Sequence, residues 1–310
     1  MNAPLNFKQI SIALSRCLHV VFLFFATSAV AQNSLPPLDT TRWRLAFSDD
    51  FTGTTLNRDR WHSYGNWSGM ESDNWSESRY APGNHQIYLD NQVVLDSGIC
   101  HLLISRQDVS WRCDTCTHTV QAPYAAGELF TYYTRPFRYG RYEARLKMPT
   151  ARNTHATFWL WPAPATRETD GIEIDIAESY GGGISLLPFQ KGANRHVNFS
   201  VHRWGPSGHV EVRNRYPAQL WWQALRGNYF EQSDWHVYTF DWLPGEMRFY
   251  LDGQLIRSFT SSDIPWLATA AQFSNIRLTA AIDKPGNEPP GVVDVFMVDY
   301  VRVWELNRES

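Results

Sequence analysis

The sequence predicts an all-β protein, a sandwich of two antiparallel sheets with one layer's inner face bent into a groove. Three observations predict it. Short segments alternate apolar and polar residues with the two-residue period of half-buried strands, and Gly, Asn and Pro turn signals separate them. Helical periodicity is scarce; the one candidate is Pro217 to Leu225, a short helix or a loop over the groove. With 310 residues, 43% of them hydrophobic, and no shift of composition along the chain, one large sandwich fits better than two small domains.

The elements follow in chain order. Residues 1–31 read as a secretory signal: Lys8 and Arg16 make a positive start, Leu18 to Ala26 is apolar, and Ala29-Val30-Ala31 is a small-x-small cleavage site before Gln32. The run is shorter than the roughly 20 residues a membrane-spanning helix needs, and no later stretch is long and apolar enough. The expectation is a secreted protein, periplasmic or extracellular, with no membrane span. Removing the signal takes two of 28 basic residues, so 26 face 31 acidic ones and the net charge is −5. That balance argues against a nucleic-acid partner held through its phosphates; a monomer is expected. Residues 32–41 are a Pro-rich linker, and 42–306 form the single folded domain.

Within that domain Trp43–Phe47, Val93–Leu95, His101–Ser105, Tyr139–Met148, Val237–Trp242, Met247–Leu251 and Val298–Trp304 alternate as strands do. Turn signals lie between them at Thr52-Gly53, Ser97-Gly98, Pro244-Gly245 and Asp252-Gly253, the last a tight hairpin. Of four cysteines, Cys17 leaves with the signal. Export makes a disulfide plausible among Cys100, Cys113 and Cys116, with one thiol left over. Cys113 and Cys116 have the spacing of a zinc half-site, but no second half-site follows.

The chemistry concentrates in Glu173-Ile174-Asp175-Ile176-Ala177-Glu178. In a strand, Glu173 and Asp175 share one face and the isoleucines the other. Glu178 is out of phase by one residue and joins the acids only through a β-bulge near Ala177. Three carboxylates that close repel when all are ionised, so one should hold its proton near neutral pH. A proton donor beside a carboxylate is what glycoside hydrolysis requires. Taken alone, the same pattern fits an edge strand with a solvated acidic face. Aromatic residues make up 15% of the chain, with 14 Trp. Trp61, Tyr64, Trp67, Trp75, Trp204, Trp221 and Trp222 sit in polar stretches and are candidate platforms for sugar rings, as well as candidates for the core.

The acid strand stands in an ordered set of blocks. These are Phe47–Phe51, the segment 137–149, Thr157-Phe-Trp-Leu-Trp-Pro162, Trp235–Trp242, Arg248–Gly253 and Val298–Trp304. Together they resemble family 16 of the glycoside hydrolases, over about residues 43–305. The resemblance implies a β-jelly-roll with a concave substrate cleft and retaining hydrolysis of internal β-glycosidic bonds in a polysaccharide. It implies Glu173 as nucleophile, Glu178 as acid/base and Asp175 as the carboxylate that tunes the nucleophile. The extra residue before Glu178 is similar to the bulged branch of laminarinases, agarases and carrageenases. His202, Arg203, Trp204, Trp159 and Trp67 are expected to bind substrate. No cofactor is expected for catalysis; a structural calcium ion is expected, if present, at Asp50 and Asp299.

Two departures bear on substrate. His155-Ala-Thr-Phe-Trp159 has His where laminarinases commonly have Trp, and Asp170-Gly-Ile-Glu173 departs from their usual Gly before the first acid. Glu178-Ser-Tyr-Gly181 looks like the agarase pattern, whereas Ser200-Val-His-Arg-Trp204 is similar to laminarinases. The reading is β-1,3-glucan, with marine β-1,4-galactans as the alternative; a transglycosylase, or a sugar-binding sandwich without catalysis, are the other two. A binder has no need of three clustered acids.

Overall fold

Sixteen strands build the described part of the protein. The structure, a computed structural model, describes residues 35–63, 85–112, 119–131, 135–163, 171–182, 196–205, 208–216, 233–269 and 272–307; the side chains of 112, 204–209, 211 and 213–216 are not described either. In chain order they are β1 (Trp43–Asp49), β2 (Gln86–Tyr88), β3 (Val93–Asp96), β4 (Ile99–Arg112), β5 (Thr119–Ala126), β6 (Glu128–Phe130), β7 (Gly140–Lys147) and β8 (Thr154–Pro162). Then come β9 (Gly171–Tyr180), β10 (Val197–Gly205), β11 (Gly208–Tyr216), β12 (His236–Leu243), β13 (Glu246–Leu251), β14 (Gln254–Thr260), β15 (Ser274–Ile282) and β16 (Gly291–Leu306).

They form two sheets. Ten strands run β14-β13-β12-β7-β16-β4-β5-β2, with β1 on β16 and β3 on β4; six run β11-β10-β9-β8-β15-β6. Every pairing is antiparallel except β2 with β5. The fold is a β-jelly-roll sandwich, as the strand patterning and family blocks predict. The predicted strands are all present, several longer than their alternation suggests: β4 and β16 extend well past His101–Ser105 and Val298–Trp304. The candidate helix at 217–225, the signal at 1–31, and Cys113 and Cys116 lie outside the described residues.

Local chemistry sets the turns. Ser97-Gly98 and Asp252-Gly253 both carry two successive positive φ values, 53° and 77°, then 48° and 77°. That is the type I′ hairpin geometry, which matches the twist of the strands it joins and favours Gly at the second place. In β7, Tyr142, Ala144 and Leu146 are buried while Glu143, Arg145 and Lys147 are half-exposed, as period-two alternation requires. One continuous apolar cluster fills the space between the sheets. Phe199 of the six-stranded sheet meets Phe249 of the other with ring centroids 5.7 Å apart.

Trp61 belongs to this core and not to a sugar platform. It is fully buried, stacks edge-on against Phe47 at 5.3 Å, and donates its indole N–H to Asp49 at 3.0 Å. Its polar neighbours in sequence are turn residues, which conceal a core position. Cys100 is also buried and makes no disulfide; burial pushes its thiol pKa up, which leaves it inert.

Candidate active site

The acid strand β9 lies between β8 and β10, and both neighbours record the bulge. On β10, Ser200 opposes Asp175 and Asn198 opposes Glu178: two steps on one strand against three on the other. On β8, Trp159 opposes Asp175 and Phe158 opposes Ala177. One extra residue therefore sits between Asp175 and Glu178, as their sequence phase demands. Ile176 and Ala177 are both buried in the core cluster. Glu173, Asp175 and Glu178 consequently line one open pocket of about 320 Å³, together with Gln86, Tyr88, His155, Thr157, Trp159, Thr279 and Asp283.

Each acid has its own setting. Asp175 is buried, and its Oδ2 accepts from the Ser200 hydroxyl at 2.8 Å and pairs with His202 Nε2 at 3.0 Å. Burial pushes its pKa above the ordinary aspartate range and the charge of Glu178 pushes the same way, while His202 and Ser200 pull against them. Glu173 is half-buried, and its carboxylate, that of Asp175 and a ring nitrogen of His202 lie within 4.8 Å of one another. Glu178 is buried; its Oε1 accepts from the Tyr180 phenol at 2.8 Å and meets His155 Nε2 at 3.2 Å.

Two of the sequence-predicted binding residues stand here. His202 faces the acids, and Trp159 is half-buried in the pocket wall, donating its indole N–H to Thr279 at 2.8 Å. Behind it lies a network that sequence reasoning missed. Arg277 sits over the Trp159 ring at 5.1 Å and the Phe130 ring at 5.4 Å. Its guanidinium pairs with Glu128 at 3.4 Å, and the Thr279 hydroxyl bonds Glu128 at 3.0 Å. Burial raises the Glu128 pKa, and Arg277 and Thr279 oppose that rise.

Arg203 does not join the site. It opposes Ile172, a core residue, whereas His202 opposes Glu173, so alternation sends Arg203 to the other face. Its guanidinium lies 6.0 Å from the Trp266 ring. Trp204 follows in β10, but its side chain, like the whole of Trp67, is outside the described residues. Of the expected calcium ligands, Asp299 is taken up by Arg145 at 2.6 Å and Asp50 accepts from Thr52 at 3.2 Å. Neither belongs to a cluster of three or more ligand-bearing side chains among the described residues, where calcium wants six to eight oxygens.

A jelly-roll with three carboxylates gathered in one open pocket, beside a half-buried tryptophan, is the build of a glycoside hydrolase. The chain belongs to glycosyl hydrolases family 16, whose model matches residues 102–287. It is 24% identical over 287 residues to glucan endo-1,3-beta-glucosidase A1 of Niallia circulans; the match takes in 84% of this chain and 38% of that protein, so the chain spans well under half of that relative. In three dimensions it resembles the endo-beta-1,3-glucanase of Pyrococcus furiosus, with TM-score 0.64 and 20% identity over 88% of this chain and 98% of the other. It also resembles porphyranase B of Zobellia galactanivorans, with TM-score 0.62 and 19% identity over 88% and 96%. At these identities the structural likeness is one of fold.

Proposed function

We propose that this protein is a secreted, retaining endo-glycosidase that hydrolyses internal bonds of a β-1,3-glucan. The observation that carries this reading is the bulged register of β9, which brings Glu178 into the pocket of Glu173 and Asp175. Glu173, the most accessible of the three acids, attacks the anomeric carbon and forms a glycosyl-enzyme ester. Glu178 protonates the departing glycosidic oxygen, then takes a proton from the water that cleaves the ester. Asp175, deep between them and fixed by His202 and Ser200, modulates the charge of the nucleophile.

A neutral substrate is favoured by charge. Among the described residues, the pocket lining carries the carboxylates of Glu173, Asp175, Glu178 and Asp283, and no lysine or arginine. Such a wall repels sulfate esters. Arg203, which could have made the cleft basic, points elsewhere. The relative from Niallia circulans is named for 1,3-β-glucan and supports the same choice. The galactan alternative rests on the porphyranase-like fold and on Tyr180 following the acids.

The test is trapping. A 2-fluoro laminari-oligosaccharide with an activated leaving group should leave a covalent adduct that mass spectrometry maps to Glu173. Glu178→Gln should lose roughly 10²–10⁴-fold in kcat on laminarin. An adduct on Glu178, or a Glu178→Gln enzyme within about tenfold of wild type, would overturn the assignment.

A further inference from the structure

The bonding around Glu178 is asymmetric. Its Oε1 is met by two side chains from different strands, Tyr180 of β9 at 2.8 Å and His155 of β8 at 3.2 Å. The two rings stack on each other, 4.5 Å between centroids and 13° between planes, so each fixes the other's tilt. Thr157 lies 3.1 Å from the same His155 nitrogen. The Tyr180 hydroxyl donates to Oε1. With Glu178 ionised and its own proton on Nε2, His155 donates too. A carboxyl oxygen that already accepts two hydrogen bonds is the poorer seat for a proton.

We propose that His155 and Tyr180 form a positioning clamp that holds Glu178 by Oε1 and favours the ionised carboxylate. The proposal rests on Glu178 being the acid/base and goes beyond it: neither residue has been given a role, and His155 occupies a place where the resemblance leads one to expect tryptophan. Neither side chain acts on the sugar in this account. The clamp serves both half-reactions. In the first it fixes the orientation of the carboxyl that protonates the glycosidic oxygen. In the second it stabilises the carboxylate that must accept a proton from water.

Other groups share the field of Glu178. They are Glu173 and Asp175 on its own strand, Tyr88 of β2 and Asp283 after β15 in the pocket wall, and His202 of β10 against Asp175. Glu173, Asp175 and Asp283 repel a charge on Glu178 when ionised, and the clamp's two donors attract it. Removing a clamp donor weakens that attraction and leaves the repulsion in place.

The sharpest variant is Tyr180→Phe, which keeps the stacked ring and deletes only the hydroxyl. His155→Phe keeps a ring and deletes the donor, and His155→Gln restores an N–H near the Nε2 position. The first readout needs no substrate: the Glu178 carboxyl is followed by ¹³C NMR titration of glutamate-labelled protein, its signal assigned by its loss in Glu178→Gln. Tyr180→Phe and His155→Phe should shift that titration to higher pH, and His155→Gln should shift it least. The second readout is kcat/KM on laminarin and on 2,4-dinitrophenyl β-laminaritrioside. The clamp variants should lose about tenfold to a hundredfold on laminarin, the worth of a hydrogen bond to a charged group. They should lose little on the dinitrophenyl substrate, whose leaving group needs no proton. The basic limb of the laminarin profile should move up in pH.

An unmoved Glu178 titration in Tyr180→Phe, or equal losses on both substrates with an unmoved limb, would overturn the clamp. Glu178→Gln run alongside separates the two readings. If it loses laminarin hydrolysis while the clamp variants change nothing, only the clamp fails. If it retains hydrolysis, the acid/base assignment fails first.

Discussion

Arg277→Met tests the wall behind Trp159. The guanidinium and its partner Glu128 are almost fully buried, with side-chain exposures of 4% and 3%. Solvent screening is therefore slight, and removing one member leaves a buried charge without its counter-ion. Such a loss typically costs about 3–5 kcal/mol, out of a total stability on the order of 5–15 kcal/mol. For a domain of this size the melting temperature should fall by on the order of 10 °C. The deficit should depend on pH with a definite sign. Burial already raises the Glu128 pKa above its ordinary value, and Arg277 is the main force opposing the rise. Without Arg277 the folded-state pKa climbs further. A carboxyl whose folded pKa exceeds its unfolded one favours the folded state in acid, and that support is lost as pH rises through the folded value. Arg277→Met should accordingly be weakest at pH 8 and approach wild type near pH 4. Adding Glu128→Gln removes the stranded charge and should recover most of the loss at pH 8. The same single variant frees the indole from one side, so KM on oligosaccharide should rise. Thermal melts of the three variants at pH 4, 6 and 8 measure all of this. A pH-independent deficit, or a double variant no better than the single one at pH 8, would refute the reasoning.

Two further outcomes are expected. Asp175→Asn should lower kcat at least about tenfold, since a modulating charge beside the nucleophile is gone, yet it should not lower the melting temperature at neutral pH. Burial raises the Asp175 pKa, so the ionised form weighs against folding above that pKa, and the neutral amide lifts the burden while its carbonyl still accepts from Ser200 and His202; destabilisation at every pH would show the carboxylate to be structural. Laminarin cleavage should be nearly independent of ionic strength between low and moderate salt, whereas activity on a sulfated galactan, held by charge, would fall steeply as screening grows; release of porphyran or carrageenan oligosaccharides with no action on laminarin would remove the glucan reading.

The parts of the site that lie close in sequence were legible in it. The three acids and the apolar residues between them dictate the bulge, because no regular strand can put Glu173, Asp175 and Glu178 on one face. The neighbours β8 and β10 precede β9 and follow it in the chain, so Trp159 and His202 could be placed by phase. Phase also carries two further signals. His155 is two and four residues before Thr157 and Trp159, which puts it on their face. Arg203 is one residue past His202, which puts it on the other. What could not be read depends on distant pairings. Glu128 meets Arg277 and Thr279 only because β6 pairs with β15 across about half the chain. Trp61 stayed open between sugar platform and core because its neighbours in sequence are polar, while its neighbours in space are Phe47 and Phe51.

The bulge does more than rotate one acid. It turns Ile176 and Ala177, two consecutive residues, toward the core, so Glu178 enters the pocket without leaving a hole beneath the strand. It also divides the support of the acids between two neighbours. Asp175 is held from β10, by Ser200 and His202; Glu178 is held from β8, by His155, with Tyr180 of its own strand. A substitution on β10 acts first on the carboxyl that conditions the nucleophile, and one on β8 acts first on the proton donor. In the proposed mechanism the two groups must keep different protonation states while sharing one pocket, and their mutual repulsion opposes that. Separate strands supply the difference. Changing His202 should therefore disturb the acidic limb of the activity profile and changing His155 the basic limb, although both histidines lie in the same sheet and serve the same strand.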